Sequence, residues 1–113
     1  MKIDSYKFGE IIIDGRKFTS DVIIFPEKVK GGWWRIEGHK IHPEDLEEAF
    51  AEQPEVLILG TGYYGLVQVP PEIWELAEKR GVKLIVEPTA EACRIYNELS
   101  GERKVVAALH LTC

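Results

Sequence analysis

This 113-residue chain has no long apolar stretch: runs such as Val56 to Leu59 fall far short of the roughly 20 residues that a membrane-crossing helix needs. Its opening, MKIDSYKFG, has none of the apolar core of a secretory signal. A cytoplasmic protein without membrane contact is the expectation. Positive charge is also short, with 14 Lys and Arg against 19 Asp and Glu and a net charge of −5. A domain with that balance has no global field to gather a polyanion, so nucleic acid and anionic lipid are not expected partners. Cysteine is limited to Cys93 and Cys113, with no Cys-x-x-Cys spacing, and a reducing compartment favours two free thiols over a disulfide or a metal knuckle. No metal and no cofactor are expected. Asn (1), Gln (2) and Met (1) are scarce beside Glu (15) and Lys (9), a bias of proteins from hot environments, which points to a thermophilic source.

What is present suits one ordinary globular domain over residues 1–113, with 45% hydrophobic and 29% charged residues. Gly9 to Phe18 reads as two strands around an Asp14-Gly15 type I′ turn. Strands at Val22 to Phe25, stopped by Pro26, and at Trp33 to Ile36, bounded by Gly31-Gly32 and Gly38, complete an N-terminal antiparallel layer. From Pro43 the pattern turns helical, with Glu44 and Asp45 in the first turn, Leu46, Ala49 and Phe50 inward, and His42 as the cap. A strand at Val56 to Leu59 follows, then a helix from Pro70-Pro71 that stops at Gly81, and a strand at Val82 to Val86. A helix capped by Thr89 and ended by Gly101 leads to a last strand, Lys104 to Leu111. This alternation predicts an α/β fold: a single compact three-layer domain with a mixed, largely parallel central sheet in the C-terminal half and an N-terminal antiparallel β layer extending or covering it.

The string Gly60-Thr61-Gly62-Tyr63-Tyr64-Gly65 matches G-x-G-x-x-G directly after a strand, and Glu87 ends the next strand. A dinucleotide site needs its third glycine in the first turn of a helix that faces the pyrophosphate. Here Leu66 to Val69 intervene before the helix, and the chain has no room for a second mononucleotide-binding half, so NAD or FAD is not expected. Two readings stay open: a backbone that a small anion or carboxylate can approach, helped by the Thr61 hydroxyl, or a tight turn with no ligand. Parallel strands end on one edge, where open α/β sheets bind ligands. Gly60, Thr61 and Gly62 should meet Glu87 and Thr89 there, with Arg35 or His39 approaching from the N-terminal layer.

His39 and His42 sit at a strand-to-helix junction and read as a hydrogen-bonded loop residue and a cap, not as zinc ligands. His110 and Cys113 lie roughly 10 Å apart along an extended chain, so a thiol–imidazole pair is not expected unless the chain turns after Leu111. Arg94 and Asn97 read as a solvated charge and a polar helix face. Trp33 and Trp34 are consecutive and, in a strand, would point to opposite faces, leaving either one indole exposed as a contact surface or both covered.

Taken together, Phe8-Gly9 with Asp14-Gly15, Asp21-Val22-Ile23-Ile24, Trp34-Arg35 through Gly38-His39, Leu59-Gly60-Thr61-Gly62, Pro88-Thr89-Ala90, Tyr96-Asn97-x-Leu99 and the closing His110-Leu111-Thr112-Cys113 form a pattern far more specific than any one motif. Over nearly its whole length the chain resembles the small-domain family that includes the adipogenesis-associated domain-containing proteins and mitochondrial complex I assembly factor 3. The resemblance implies a compact three-layer α/β fold with a mixed sheet and assigns no reaction and no catalytic residue. Its best-described members act through protein association during respiratory-complex assembly. The mitochondrial branch carries a targeting extension, so a complex I role is not expected to transfer. The leading expectation is an interaction or assembly-support module that uses Trp33 and Trp34 against a protein partner or a second copy of itself. The competing one is a small-ligand or anion binder, catalytic or not, built on the Gly60-Thr61-Gly62 loop with Glu87 and Thr89.

Overall fold

A computed structural model describes all 113 residues. β1 (Ile3–Lys7), β2 (Glu10–Ile13) and β3 (Arg16–Phe18) pair in that order as an antiparallel sheet. The tight β2–β3 connection is the expected type I′ turn, because Asp14 and Gly15 both take positive φ, 48° and 78°. Asp4 fastens it by accepting the Gly15 N–H at 2.8 Å.

The second sheet holds β4 (Val22–Ile24), β5 (Val29–Gly31), β6 (Val56–Thr61), β7 (Lys83–Glu87) and β8 (Val105–His110), in the order β5-β4-β8-β6-β7. β6 runs parallel to both β7 and β8, whereas β4 runs antiparallel to β8 and β5. The two crossovers carry α2 (Pro71–Arg80) and α3 (Thr89–Leu99), and α1 (Glu47–Ala51) follows a 3-10 turn at Pro43–Leu46. Gly81 ends α2 in the left-handed region, φ 69°, and its N–H returns to the Ala77 and Glu78 carbonyls, the stop expected from Lys79-Arg80-Gly81.

Strand periodicity divides the core into two. Leu57, Leu59, Val106, Ala108 and Ile23 face Leu46, Ala49, Phe50, Ile73 and Ala77, so α1 and α2 cover one side. Val56, Ile58, Val105, Ala107, Val22 and Ile24 face Ala92, Cys93 and Tyr96 of α3 together with Ile3, Ile11 and Ile13 of the small sheet. β6 and β8 are thus apolar on both faces, as a covered parallel pair requires. Each fully buried Ile or Leu stabilises this arrangement by roughly 1.5–3 kcal/mol. Asn97 locks the small sheet to α3, accepting the Ile3 N–H at 2.9 Å and donating to the Ile3 carbonyl at 2.8 Å. Arg94, read as a solvated charge, is exposed and pairs along its own helix with Glu91 and Glu98.

Three local expectations are corrected. The N-terminal strands do not make one layer: β1–β3 cover the central sheet, while β4 and β5 extend it. No strand forms at Trp33 to Ile36; the edge strand is Val29–Gly31. Gly32 turns the chain at φ 70°, the Trp33 N–H goes to the Asp21 carbonyl, and the Trp33 indole donates to the Asp45 carbonyl at 2.9 Å, which draws this segment off the ladder. One of the two caps also differs. His42 is the N-cap of the 3-10 turn, as expected, and Asp45 closes that cap from within the turn by accepting the His42 N–H at 2.8 Å. Pro88 is the N-cap of α3, and Thr89 is its first residue.

Cys93 is buried, and desolvation pushes its thiol up to about 12, whereas Cys113 is exposed. Thiolate is the reactive form, so a native-state titration with a disulfide reagent at neutral pH should give one prompt thiol per chain and a second only on unfolding. Two prompt thiols would contradict this packing.

Candidate functional site at the carboxyl edge of the sheet

Because β6, β7 and β8 are parallel, Thr61, Glu87 and His110 end on one edge, and antiparallel β4 begins there with Asp21 just before it. The glycine loop and the start of α3 do come together. The Thr61 hydroxyl donates to the Glu87 carbonyl at 3.1 Å, and the Gly62 and Thr89 backbones are joined by the Thr89 N–H donating to the Gly62 carbonyl at 3.0 Å. The Thr89 hydroxyl, fully buried, accepts the Gly62 N–H at 2.9 Å and donates to the His110 carbonyl at 2.6 Å. These groups satisfy one another, so the amides that would receive an anion are already occupied.

The glycines have a steric reason. A Cβ on Gly60 would lie 2.8 Å from Leu109 Cδ2 and 2.9 Å from Thr89 Oγ1, so only glycine lets α3 approach β6 this closely. Gly62 has φ 102°, and a Cβ there would meet the Thr112 carbonyl oxygen at 2.7 Å. No helix follows directly: Tyr63 to Pro70 form a loop held by the Val67 N–H to the Thr61 carbonyl, and α2 starts at Pro71.

Beside the loop lies a charged cluster that sequence reasoning did not assemble. Arg35 reaches back from the 32–41 segment and puts Nη1 2.6 Å from Asp21 Oδ2, with Nη2 donating to the Gly38 carbonyl. The guanidinium carbon stands 5.0 Å above the Trp33 ring. Asp21 Oδ2 also meets His110 Nδ1 at 2.7 Å, and Oδ1 accepts the Leu111 N–H at 2.8 Å. Nδ1 also lies 3.0 Å from Arg35 Nη2, and Nε2 is turned toward the Thr112 hydroxyl, 3.5 Å away. Burial alone would raise the Asp21 carboxyl. The hydrogen bonds from His110, Arg35 and Leu111 outweigh it and hold the carboxyl below its ordinary range. Arg35 Nε is buried without a partner.

Of the two residues expected to approach from the N-terminal part, Arg35 therefore arrives and His39 does not. The His39 side chain is exposed, and only its carbonyl takes part in structure, accepting the Gln68 N–H. No hydrogen bond joins Cys113 to His110. The Asp21–His110 contact depends on antiparallel β4–β8 pairing between residues 89 apart, for which the sequence carries no local signal.

The same edge exposes aromatic surface. Phe8, Tyr63 and Tyr64 are each about half exposed or more, and they pack on one another with ring centroids 5.6 Å (Phe8–Tyr63) and 5.0 Å (Tyr63–Tyr64) apart. Trp33 is buried, whereas Trp34 is 75% exposed and Ile36 beside it is half exposed. Of the two alternatives for the indoles, one buried and one exposed is the one found, although the segment is not a strand.

These features define a three-layer α/β domain with a polar sheet edge, satisfied from within except at Arg35 Nε, and exposed aromatic flanks. Its sequence belongs to the family described as a protein of unknown function (DUF498/DUF598), whose model matches residues 3–110. Among curated proteins it is similar to NADH dehydrogenase [ubiquinone] 1 alpha subcomplex assembly factor 3 of Danio rerio, 36% identical over 109 residues. The Xenopus tropicalis protein of that name is 31% identical over 111 residues. The alignments take in 94% and 96% of this chain but only 61% and 59% of those proteins, so the chain spans about three-fifths of their length. Among solved structures, a conserved hypothetical protein of Pyrococcus horikoshii OT3 superposes with TM-score 0.88 at 35% identity, covering 100% of both chains. The Rpa2829 protein of Rhodopseudomonas palustris gives TM-score 0.78 at 31% identity, covering 96% of this chain and 81% of its own.

Proposed function

We propose that this domain is a cytoplasmic protein-association module that supports assembly of other proteins, docking through the aromatic residues along the flanks of the sheet edge. The observation that carries this reading is the Phe8–Tyr63–Tyr64 cluster with Trp34: large apolar rings from three separate segments stand in solvent instead of joining either core. Aromatic anchors of this kind dominate the energetics of protein interfaces. The named function of the curated relatives, assembly of NADH dehydrogenase, supports the class of role; the partner of this chain is its own question. An anion-binding reading of the glycine loop has less support, because the Gly62 and Thr89 N–H groups are spent on each other and the Thr61 and Thr89 hydroxyls on the Glu87 and His110 carbonyls.

The test is tagged capture from the source cells, with native mass spectrometry of the eluate, for the wild type and for Trp34→Ala and Tyr63→Ser/Tyr64→Ser. A stoichiometric protein partner kept by the wild type and lost by at least one variant of unchanged melting temperature is expected. If all partners persist on both variants, or if the retained species is a small molecule released by Thr61→Val, the association reading is wrong.

A further inference from the structure

The Trp34 flank opens onto a cavity of about 350 Å³ lined by Lys30, Gly32, Trp33, Trp34, Ile36, Glu44, Asp45, Glu47 and Glu48, a set that fixes the chemistry of what it can hold. Trp33 forms a rigid part of the wall, since its indole is tied to the Asp45 carbonyl. Trp34 and Ile36 project beyond it into solvent. Asp45 is buried, and its carboxylate is already used by the His42 and Ile36 N–H groups. Lys30, the one cation of the lining, is paired with Glu48.

Glu44 and Glu47 remain. Both are exposed, and none of the ion pairs of the fold reaches either of them. They also line the adjoining cavity of about 310 Å³, where Phe50, Ala51 and Leu76 are the apolar wall and Arg80 closes the far side with its guanidinium carbon 5.8 Å from the Phe50 ring centre. The two carboxylates therefore stand between an indole on one side and a partly apolar hollow, backed by Arg80, on the other. Acidic residues in a first helical turn complement the helix dipole, but that effect needs no exposed tryptophan and no paired hollows. An indole face beside free carboxylates attracts a guanidinium or ammonium group by cation–π and Coulombic terms together. It repels acidic segments equally well.

We infer that this groove docks a partner-protein segment in which an arginine or lysine is flanked by apolar residues, the cation lying between Trp34 and the Glu44–Glu47 pair and an apolar neighbour entering the Phe50–Leu76 hollow. The inference rests on the association reading above and adds the chemical class of the partner. The net charge of −5 agrees with it in sign and gives a salt-dependent encounter.

The test uses synthetic peptides alternating arginine with leucine, glutamate with leucine, or serine with leucine, titrated by isothermal calorimetry at low and high salt. The arginine peptide should bind the wild type, weaken as salt rises, and lose about tenfold or more in affinity to Glu44→Gln/Glu47→Gln and to Trp34→Ala, as truncating a buried-charge contact or an aromatic anchor does. Neither variant touches a core residue, and unchanged melting temperatures would show that the fold is intact. Equal binding of the arginine and serine peptides, lost with Trp34→Ala but untouched by Glu44→Gln/Glu47→Gln, overturns the charge assignment while leaving association through Trp34 standing. No binding of any peptide overturns the groove itself, and the capture experiment then decides the wider reading by itself. Self-association of the protein without peptide, abolished by Trp34→Ala, would place a second copy there and also overturn the inference.

Discussion

Asp21→Ala should lower the unfolding free energy by about 3–5 kcal/mol, the range for breaking a mostly buried ion pair by removing one partner. The carboxylate serves three groups at once: Arg35 at 2.6 Å, His110 at 2.7 Å and the Leu111 N–H at 2.8 Å. The Arg35 side chain is only 7% exposed, so without Asp21 a buried guanidinium would keep the Gly38 carbonyl, His110 and the Trp33 ring but no countercharge. Urea denaturation with fluorescence detection measures the loss. A change below about 1 kcal/mol would place the pair among ordinary surface salt bridges. Asp21→Ala/Arg35→Met should recover part of the loss, because the cost comes largely from the stranded charge.

The same residue sets a pH dependence. Its folded carboxyl is held below the ordinary range, so the unfolded chain takes up the proton first as pH falls. The stabilisation is fully present above the unfolded carboxylate value and disappears as pH drops through the lower, folded one. In Asp21→Ala this part of the acid slope should vanish while the rest of the curve keeps its shape.

The sequence was legible where short-range rules decide structure. The Asp14-Gly15 turn, the Lys79-Arg80-Gly81 stop and the apolar strands around Val56 and Val105 each follow from local chemistry and the pattern of burial. It misled at Trp33 to Ile36, where aromatic and β-branched residues suggested a strand. The outcome there was set by tertiary anchors at Asp21 and Asp45, which no local propensity encodes. For the candidate site, the meeting of Gly62 with Thr89 followed from parallel strands ending on one edge. What the residues do there did not: Thr89 looked like a helix cap, and its hydroxyl instead bridges a glycine amide and the last strand. In sequence His110 stands near Cys113, whereas its partner in the fold is Asp21, just before β4.

That bridging hydroxyl carries the second large effect. Thr89→Val keeps the volume and removes both hydrogen bonds, leaving the Gly62 N–H without its acceptor in a site that is completely buried. Each unmade buried hydrogen bond costs about 1–3 kcal/mol, so a loss of about 2–4 kcal/mol is expected by denaturant or thermal unfolding. Thr89→Ser retains the hydroxyl and should cost about 1 kcal/mol, the scale of one deleted methyl group. The pair separates two roles for the loop. If Thr89 is a structural pin, phosphate or acetate titrated into the wild type should leave the melting temperature unchanged, since no ligand reaches the Gly62 amide without breaking the bond to Thr89. If instead either anion stabilises the wild type in a concentration-dependent way, and Thr89→Val abolishes that response, the amide exchanges partners and the glycine loop is a binding site after all.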